Sequence, residues 1–439
     1  MERGELLPLN VWVRVLYSLV APPPIGHTRV SISERFLEPA ALTSAARLQM
    51  CPMGGGATRL YSTLTQTFSG SSSPLSIPPS YLSPHQPSLT NLDSDFCLQQ
   101  EEDSPPTCSL DPVELLQQCE EALRDQPPRL HRNFVHTGDG GGDASSTVRV
   151  MQWNILAQAL GVGVDNFVRC PLEALSWSRR KDLILGEILA YRPHVLCLQE
   201  VDHYYDTFQP VLASLGYSSH FCPKPWSPCL DVEGNSGPDG CALFFDRSRF
   251  ELLDSVSVRL SAVMIPTNQV AVVTTLRCRH TGRYLCVATT HLKARSGWEW
   301  LRSAQGSDLL WHLQNLVQEL GGANANVKVP LLICGDFNAV PSEEVYRRFA
   351  TSPLGLDSAY KKLSEDGASE PEYTTWKIRG TGECRSTLDY IWYTKDTLRV
   401  DAVLDMPDEE QIGPDRLPSY SYPSDHLSLV CDVSFREKE

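Results

Sequence analysis

PLLICGDFNAVPSEEVY, residues 330–346, sets a buried run against two polar side chains. Leu331, Leu332, Ile333 and Cys334 are apolar and consecutive, the pattern of a strand covered on both faces. The chain then turns at Gly335 and presents Asp336, Phe337 and Asn338. Taken alone, Gly-Asp-x-Asn reads as a turn, because Asp and Asn side chains bond nearby backbone groups. The competing reading is a core strand that ends in a site. In extended backbone, residues two apart project to the same side, so Asp336 and Asn338 would face one way and Phe337 the other, into packing.

The pattern recurs. VRVMQWN (148–154), HVLCLQE (194–200), VAVVTTLRC (270–278), YLCVATTH (284–291), TLDYIWY (387–393) and LSLVCDVSF (427–435) are apolar, β-branched runs, several of them ending in polar residues. Helical patterns lie between some of them. WSRRKDLILGEILAY (177–191) is stopped by Pro193. Leu309, Leu313, Leu316, Val317 and Leu320 share one helix face. Many strands and few helices predict two packed sheets with helices outside. No internal repeat is visible.

The chain has 439 residues, 41% hydrophobic and 21% charged, the composition of a globular protein. A net charge of −15 argues against a general polyanion binder but allows a small basic pocket. The 14 cysteines show no C-x-x-C pair and no zinc spacing, and read as buried thiols in a reducing compartment. No apolar run approaches transmembrane length. Residues 1–110 read as a disordered tail rich in Ser, Pro and Thr. Its acid-poor, arginine-containing start is similar to a mitochondrial transit peptide. MGGGAT, from Met53, fits a myristoylation pattern if translation begins there. These features predict cytoplasmic and mitochondrial pools, with weak membrane association of a shorter form. DPVELLQQCEEALRDQPPR (111–129) reads as a short helix with Asp111 as N-cap, Pro112 at N1 and Glu114 at N3. HTGDGGGDASS (136–146) reads as a linker. Residues 147–439 form the expected catalytic domain, and a chain starting near 147 is expected to fold alone.

The strand ends collect the chemistry. They offer Asn154, Glu200, His291 with Lys293 and Arg295, Asp336 with Asn338, and Asp425 with His426, while Asp389 lies inside a strand. Each alone is more often a turn or a satisfied polar group than a catalyst. Glu200 is harder to dismiss, since a carboxylate after a buried LCLQ is costly unless paired. Together they hold the ingredients of a Mg²⁺ phosphoesterase. Mg²⁺ takes oxygen ligands and keeps several waters, so one or two carboxylates suffice. A carboxylate or imidazole is needed to activate water. His, Asn and cations stabilise charge developing at phosphorus.

WNILAQ, LCLQEVD, TTHLKA, GDFNA, LDYIWY and SDHLSL, in that order, resemble the endonuclease/exonuclease/phosphatase superfamily. The resemblance implies an α/β fold, a four-layered α/β sandwich of two mixed β-sheets flanked by helices. It also implies Mg²⁺ as cofactor, with Glu200 and Asp425 at the metal and Asn154 beside it. Asp336 would orient or deprotonate the attacking water, and Asn338 would hold phosphate oxygens. His426 would stabilise the phosphate, Asp389 would orient His426, and His291 would be a second phosphate-side histidine.

QEVD, the long loop 221–245 and YPSDHLSLVCDVSF look like the deadenylase-related branch. Within it, RVMQWNILAQALG, ALSW, LCLQEVDHYYDTFQP, TTHLKAR and YTTWKIR resemble members for which the resemblance implies removal of the 2′-phosphate from NADP⁺ and NADPH. The alternative is a 3′–5′ exoribonuclease shortening poly(A) tails. A third reading, a non-catalytic adaptor binding mRNA-decay or transcription partners through its tail, is disfavoured by the intact metal and water positions, and RNA or mRNA-decay partners of the enzyme itself remain an expectation. Residues 149–439 carry 29 Lys and Arg against 37 Asp and Glu, a net charge of −8. A polynucleotide draws on many phosphate contacts, whereas a dinucleotide needs a few placed cations. Lys224, Lys293, Arg295 and Arg379 are the candidates, expected to form one cationic pocket in a monomer.

Overall fold

A computed structural model describes residues 110–138, 147–321 and 328–437. The tail expectations for residues 1–109 and most of the glycine-rich linker lie outside the described residues.

Strands are numbered in chain order. The first sheet runs β1 (Phe134–His136), β14 (Leu398–Leu404), β15 (Leu429–Phe435), β2 (Val148–Asn154), β3 (Val195–Gln199), β5 (Gly240–Asp246), β4 (Tyr217–Pro223). The second runs β10 (Leu356–Ser358), β13 (Asp389–Thr394), β9 (Leu331–Asp336), β8 (Tyr284–His291), β7 (Ile265–Cys278), β6 (Phe250–Ala262). A separate ribbon pairs β11 (Thr375–Arg379) with β12 (Gly382–Ser386). Both large sheets are mixed. Each is antiparallel except for one central parallel pair, β2 with β3 and β8 with β9.

Side-chain alternation builds the layers. Val148, Val150, Val195 and Cys197 face Val272, Val287, Leu332 and Cys334 across the two sheets. The alternate residues Met151, Trp153, Leu196 and Leu198 face outward onto Ile184, Leu185 and Ile188 of helix Trp177–Tyr191. On the far side Ala288, Leu331, Ile333 and Trp392 pack against Leu309 and Leu313 of helix Glu299–Gly321 and Phe349 of helix Glu344–Ala350. The order helix–sheet–sheet–helix is the expected four-layered sandwich. Every cysteine among the described residues is a free thiol, and all but Cys170 and Cys384 are buried.

The stretch 221–245, read as a loop, contributes strands at both ends. Tyr217–Pro223 and Gly240–Asp246 pair as β4 and β5. The apolar CALFF was the available signal, and Cys241 and Leu243 lie in the inter-sheet core. At Gly240 an added Cβ would stand 2.3 Å from the Cys222 carbonyl, so only glycine permits this approach.

Residues 111–138 pack onto the sheet N-terminal to position 147. Asp111 caps helix Pro112–Ala122 through Val113 N at 2.8 Å, with Pro112 in the first turn. The helix ends at Ala122, inside the 111–129 stretch expected to hold it. Its Cys119 joins the outer core, and β1 pairs antiparallel with β14. Between them Arg132, 4% exposed, donates to Glu187 Oε1 at 2.9 Å and to Ser428 Oγ, while Arg129 bonds Glu187 Oε2. Starting the chain at 147 would leave the fully buried Glu187 without either arginine. Stranding one member of a buried pair costs about 3–5 kcal/mol. A chain of 147–439 should therefore unfold at a clearly lower urea midpoint than one of 105–439. Equal midpoints would show that these arginines are dispensable.

Candidate active site

The parallel pairs put functional residues side by side. In register, Asn154 lies beside Gln199, the residue before Glu200, and His291 lies beside Asp336. Antiparallel β13 then sets Asp389 against Asp336. The two sheets meet at these ends. Asn154 Nδ2 donates to Glu200 Oε1 and to Asp336 Oδ2, each at 3.0 Å. Glu200 Oε2 accepts from Ala157 N at 3.1 Å. Glu200 sits at φ +56, a conformation that side chains avoid and that marks a constrained site.

Asp336 serves both readings of the opening stretch. Its Oδ1 accepts from Asn338 N at 2.8 Å, closing the Asx turn, while Oδ2 faces the site. Asn338 leaves extended geometry at φ +50, so its side chain is set by the turn and not by strand alternation; its Nδ2 donates to Leu292 O at 3.2 Å. Phe337 packs away, edge-on to Phe349 and Tyr390.

The two histidines have opposite electrostatics. Burial and the neighbouring Lys224 push the His291 pKa down to about 4, leaving a neutral ring 3.5 Å from Asp336 Oδ2. Its Nδ1 is buried without a hydrogen-bond partner among the described residues. Burial also opposes charge on His426, but the carboxylates of Asp389, Asp336 and Asp425 outweigh it and raise the pKa to about 9. Its Nδ1 lies 2.8 Å from Asp389 Oδ2, which also accepts from Thr374 Oγ1 at 2.6 Å. Burial raises the Asp336 carboxyl above its ordinary value.

The four expected cations differ in their partners, while Lys224 and Arg295 both lie close enough to Lys293 to act on its charge. Lys224, partly buried, forms an ion pair with the fully buried Asp239, which also accepts from Ser227 Oγ. Arg379 bonds Asp165 at 2.8 Å and Asp425 at 3.3 Å. Lys293 has no carboxylate partner among the described residues; it lies over Trp298, and burial, Arg295 and Lys224 lower its pKa. Arg295 is exposed at φ +78.

A profile of the Endonuclease/Exonuclease/phosphatase family matches residues 151–426, spanning every residue named above from Asn154 to His426. The chain belongs to this family.

Among family members it is 55% identical to the nocturnin of Rattus norvegicus over 422 residues, 95% of this chain and 92% of that one. It is 59% identical to the nocturnin of Xenopus laevis over 390 residues, 89% of this chain and 94% of that one. The human nocturnin catalytic domain, solved with a bound sulfate anion, aligns with a TM-score of 0.59 at 56% identity, covering 71% of this chain and 99% of that one. ANGEL2, described as a 2′,3′-cyclic phosphatase and solved with adenosine-2′,3′-vanadate, aligns at 0.57 with 26% identity, covering 70% and 99%.

Family membership implies a divalent metal, and the donor set fits one. Asp336, Asp389 and His426 offer ligand atoms within 4.8 Å of one another. His426 is a poor ligand there, because its pKa of about 9 leaves the ring protonated at neutral pH and Nδ1 faces Asp389. Glu200 is the better candidate, an only partly buried carboxylate joined to Asp336 through Asn154. Asp425 lies in the same site, with its Oδ2 shared between Lys377 and Arg379. Burial would raise its carboxyl, but Lys377, His426 and Arg379 hold it well below the usual range.

Several residues here escaped the sequence reading. Gln199 Nε2 bridges Gln152 Oε1 at 2.7 Å and Thr289 Oγ1 at 2.9 Å, and Gln152 Nε2 reaches Asp389 Oδ1 at 3.2 Å. This polar floor closes the inter-sheet core beneath the site. A glutamine inside VRVMQWN and another closing VLCLQ were the only signal. Lys377 and Asp239 had none, since each matters only through a partner far away in the chain.

Proposed function

We propose that the chain is a Mg²⁺-dependent phosphatase that removes the 2′-phosphate from NADP⁺ and NADPH, releasing NAD⁺ or NADH and inorganic phosphate. The observation that carries this reading is the local charge. The acidic catalytic region holds Lys293 and Arg295 just past His291, with no carboxylate within salt-bridge distance of either among the described residues, while Lys224 and Arg379 are paired. Two such cations suit a compact phosphate-bearing ligand better than a long backbone, which calls on many contacts. The adenosine-2′,3′-vanadate complex of ANGEL2 supports the reading, because the extra phosphate of NADP is carried on the same edge of an adenosine ribose.

In this mechanism Asp336 takes a proton from water, and the water oxygen attacks phosphorus. The bond from phosphorus to the ribose 2′-oxygen breaks, and that oxygen takes up a proton. A base whose pKa is raised by burial suits this step. His426, charged and held by Asp389, donates to the phosphoryl oxygens, with Asn154 and Asn338 beside it. Neutral His291 can donate one further bond. Mg²⁺ at Glu200, with Asp425 near, would supply Lewis-acid polarisation of the phosphoryl group. Lys293, Arg295, Lys224 and Arg379 would grip the remaining phosphates. We take the enzyme to act as a monomer. Its assignment to cytoplasm and mitochondria, with weak membrane association of a form starting at Met53, rests on the tail sequence alone.

The second reading, poly(A) shortening, is favoured by 27% identity over 338 residues to the CCR4-Not complex 3′-5′-exoribonuclease subunit Ccr4 of Candida albicans. Phosphate release from NADP⁺ and AMP release from oligo(A), measured side by side, separate the two. Charge-assisted bonds contribute roughly 1.5–3 kcal/mol, so Lys293→Ala or Arg295→Ala should lower kcat/KM for NADP⁺ about ten- to a hundredfold. Robust AMP release with no phosphate from NADP⁺ would replace the first reading with the second.

A further inference from the structure

Arg180, in the first turn of helix Trp177–Tyr191, is 0% exposed, and no carboxylate lies within salt-bridge distance of it among the described residues. A guanidinium is costly to bury unless its donors are met. Here they are met almost entirely by main chain. Nε donates to Pro423 O at 2.7 Å, Nη1 to Gln158 Oε1 at 2.6 Å, and Nη2 to Ile155 O at 2.6 Å and to Leu156 O. Ile155 and Leu156 directly follow Asn154, and Pro423 comes just before Asp425 and His426. Leu156 lies at φ +61, a left-handed conformation that a branched side chain avoids. Its N–H donates back to Asn154 Oδ1 at 3.0 Å, so the strained turn sets the rotamer of that asparagine.

We propose that Arg180 is a positioning residue. Its guanidinium ties the turn after Asn154 to the turn before His426 and so sets the spacing between the two sides of the active site. Ser424 Oγ, which donates to Asn154 O at 2.6 Å, makes the same connection from within. Arg180 touches none of the candidate catalytic side chains. It acts through Asn154, whose amide aligns Glu200 and Asp336, and through the backbone that carries His426. The planar fork is essential to this role. It presents donors to carbonyls on two chain segments at once, which a lysine ammonium on a flexible stem does not reproduce.

The inference rests on the phosphoester-hydrolase reading of the site, and the test keeps the two apart. Arg180→Lys, Arg180→Gln and Gln158→Leu are made in the full chain. Three quantities are measured: kcat and KM for phosphate release from NADP⁺ and AMP release from oligo(A), Mn²⁺ binding to the substrate-free protein by electron paramagnetic resonance, and the thermal midpoint. Small misplacements of reacting groups cost about 10²-fold in rate. Both Arg180 variants should lose about that much kcat with KM within about threefold, the signature of an interaction felt in the transition state. Both should also bind Mn²⁺ about tenfold more weakly, through misalignment of Glu200. A role as buried charge alone predicts the reverse. Lysine would then restore both properties, and glutamine, by removing a nearby cation, would tighten Mn²⁺ binding. Arg180→Lys with wild-type kcat and Mn²⁺ affinity overturns the proposal. If the Arg180 variants do not fold, Gln158→Leu decides, since it removes one anchor of the fork. A several-fold loss in both readouts supports positioning, and unchanged values overturn it. A wild type that releases neither product refutes the functional reading, while the Mn²⁺ titrations still decide the role of Arg180.

Discussion

Asp336→Asn is expected to lower kcat by about 10²- to 10⁴-fold, the range for losing a general base. The fold should tolerate the change. Asn is nearly isosteric, and an amide oxygen can still accept from Asn338 N, as Asp336 Oδ1 does at 2.8 Å. Burial raises the Asp336 pKa, so the fold disfavours its charged form. A carboxyl raised in this way contributes less to stability as pH climbs through its folded pKa, and a neutral side chain avoids that cost. The thermal midpoint of Asp336→Asn at neutral pH should therefore stay close to that of the wild type, relief of the buried carboxylate offsetting the hydrogen bond lost from Asn154 Nδ2, while activity is nearly abolished. Near-normal kcat at saturating Mg²⁺ would place the chemistry elsewhere.

Asp389→Asn should act almost as strongly by a different route. The carboxylate of Asp389 is the largest of the influences holding His426 in its charged form, against burial and the nearby Lys377. Raising an imidazole from 6.5 to about 9 corresponds to about 3 kcal/mol. In the metal-free wild type the His426 ring should titrate near 9 by nuclear magnetic resonance. In Asp389→Asn burial is left unopposed by its main partner, and the ring should titrate well below that. Because the raised pKa belongs to a base, its stabilisation is complete below the unfolded value of about 6.5 and is lost as pH rises through about 9. The variant should lack that alkaline loss of stability. Its kcat should fall about 10²- to 10⁴-fold at neutral pH, since His426 would be neutral and poorly oriented. An unchanged ring titration would mean that Asp389 does not govern His426.

Paired charges explain why a composition-based reading of the substrate pocket goes only part of the way. Lys224 and Arg379 stand beside motif residues in sequence, as Lys293 does. In the fold Lys224 answers Asp239 and Arg379 answers Asp165 and Asp425. Positive charge in the sequence does not tell a ligand-facing cation from one that balances a buried carboxylate, because the balancing partner lies 15 residues away for Lys224 and 46 for Asp425 with Arg379.

The sequence by itself determined the parts that depend on neighbours along the chain. Continuous apolar, β-branched runs marked β2, β8 and β9 almost to the residue, and a polar residue after a buried run marked Asn154, Glu200 and Asp336 as strand ends. Both follow from local rules, since strand propensity and the cost of an unpaired core charge act over a few residues. The tertiary structure alone decided what depends on long-range contact. It made His291 neutral and His426 charged, although both are histidines beside motif residues, because burial reinforced by Lys224 acts on the first, while Asp389 and its neighbouring carboxylates overcome burial at the second. It brought β1 and Arg132 onto a sheet whose other strands begin after the glycine-rich segment. It also buried Arg180 against carbonyls from two distant turns, a place no local pattern reveals, because desolvation and hydrogen bonding are settled only when those turns meet.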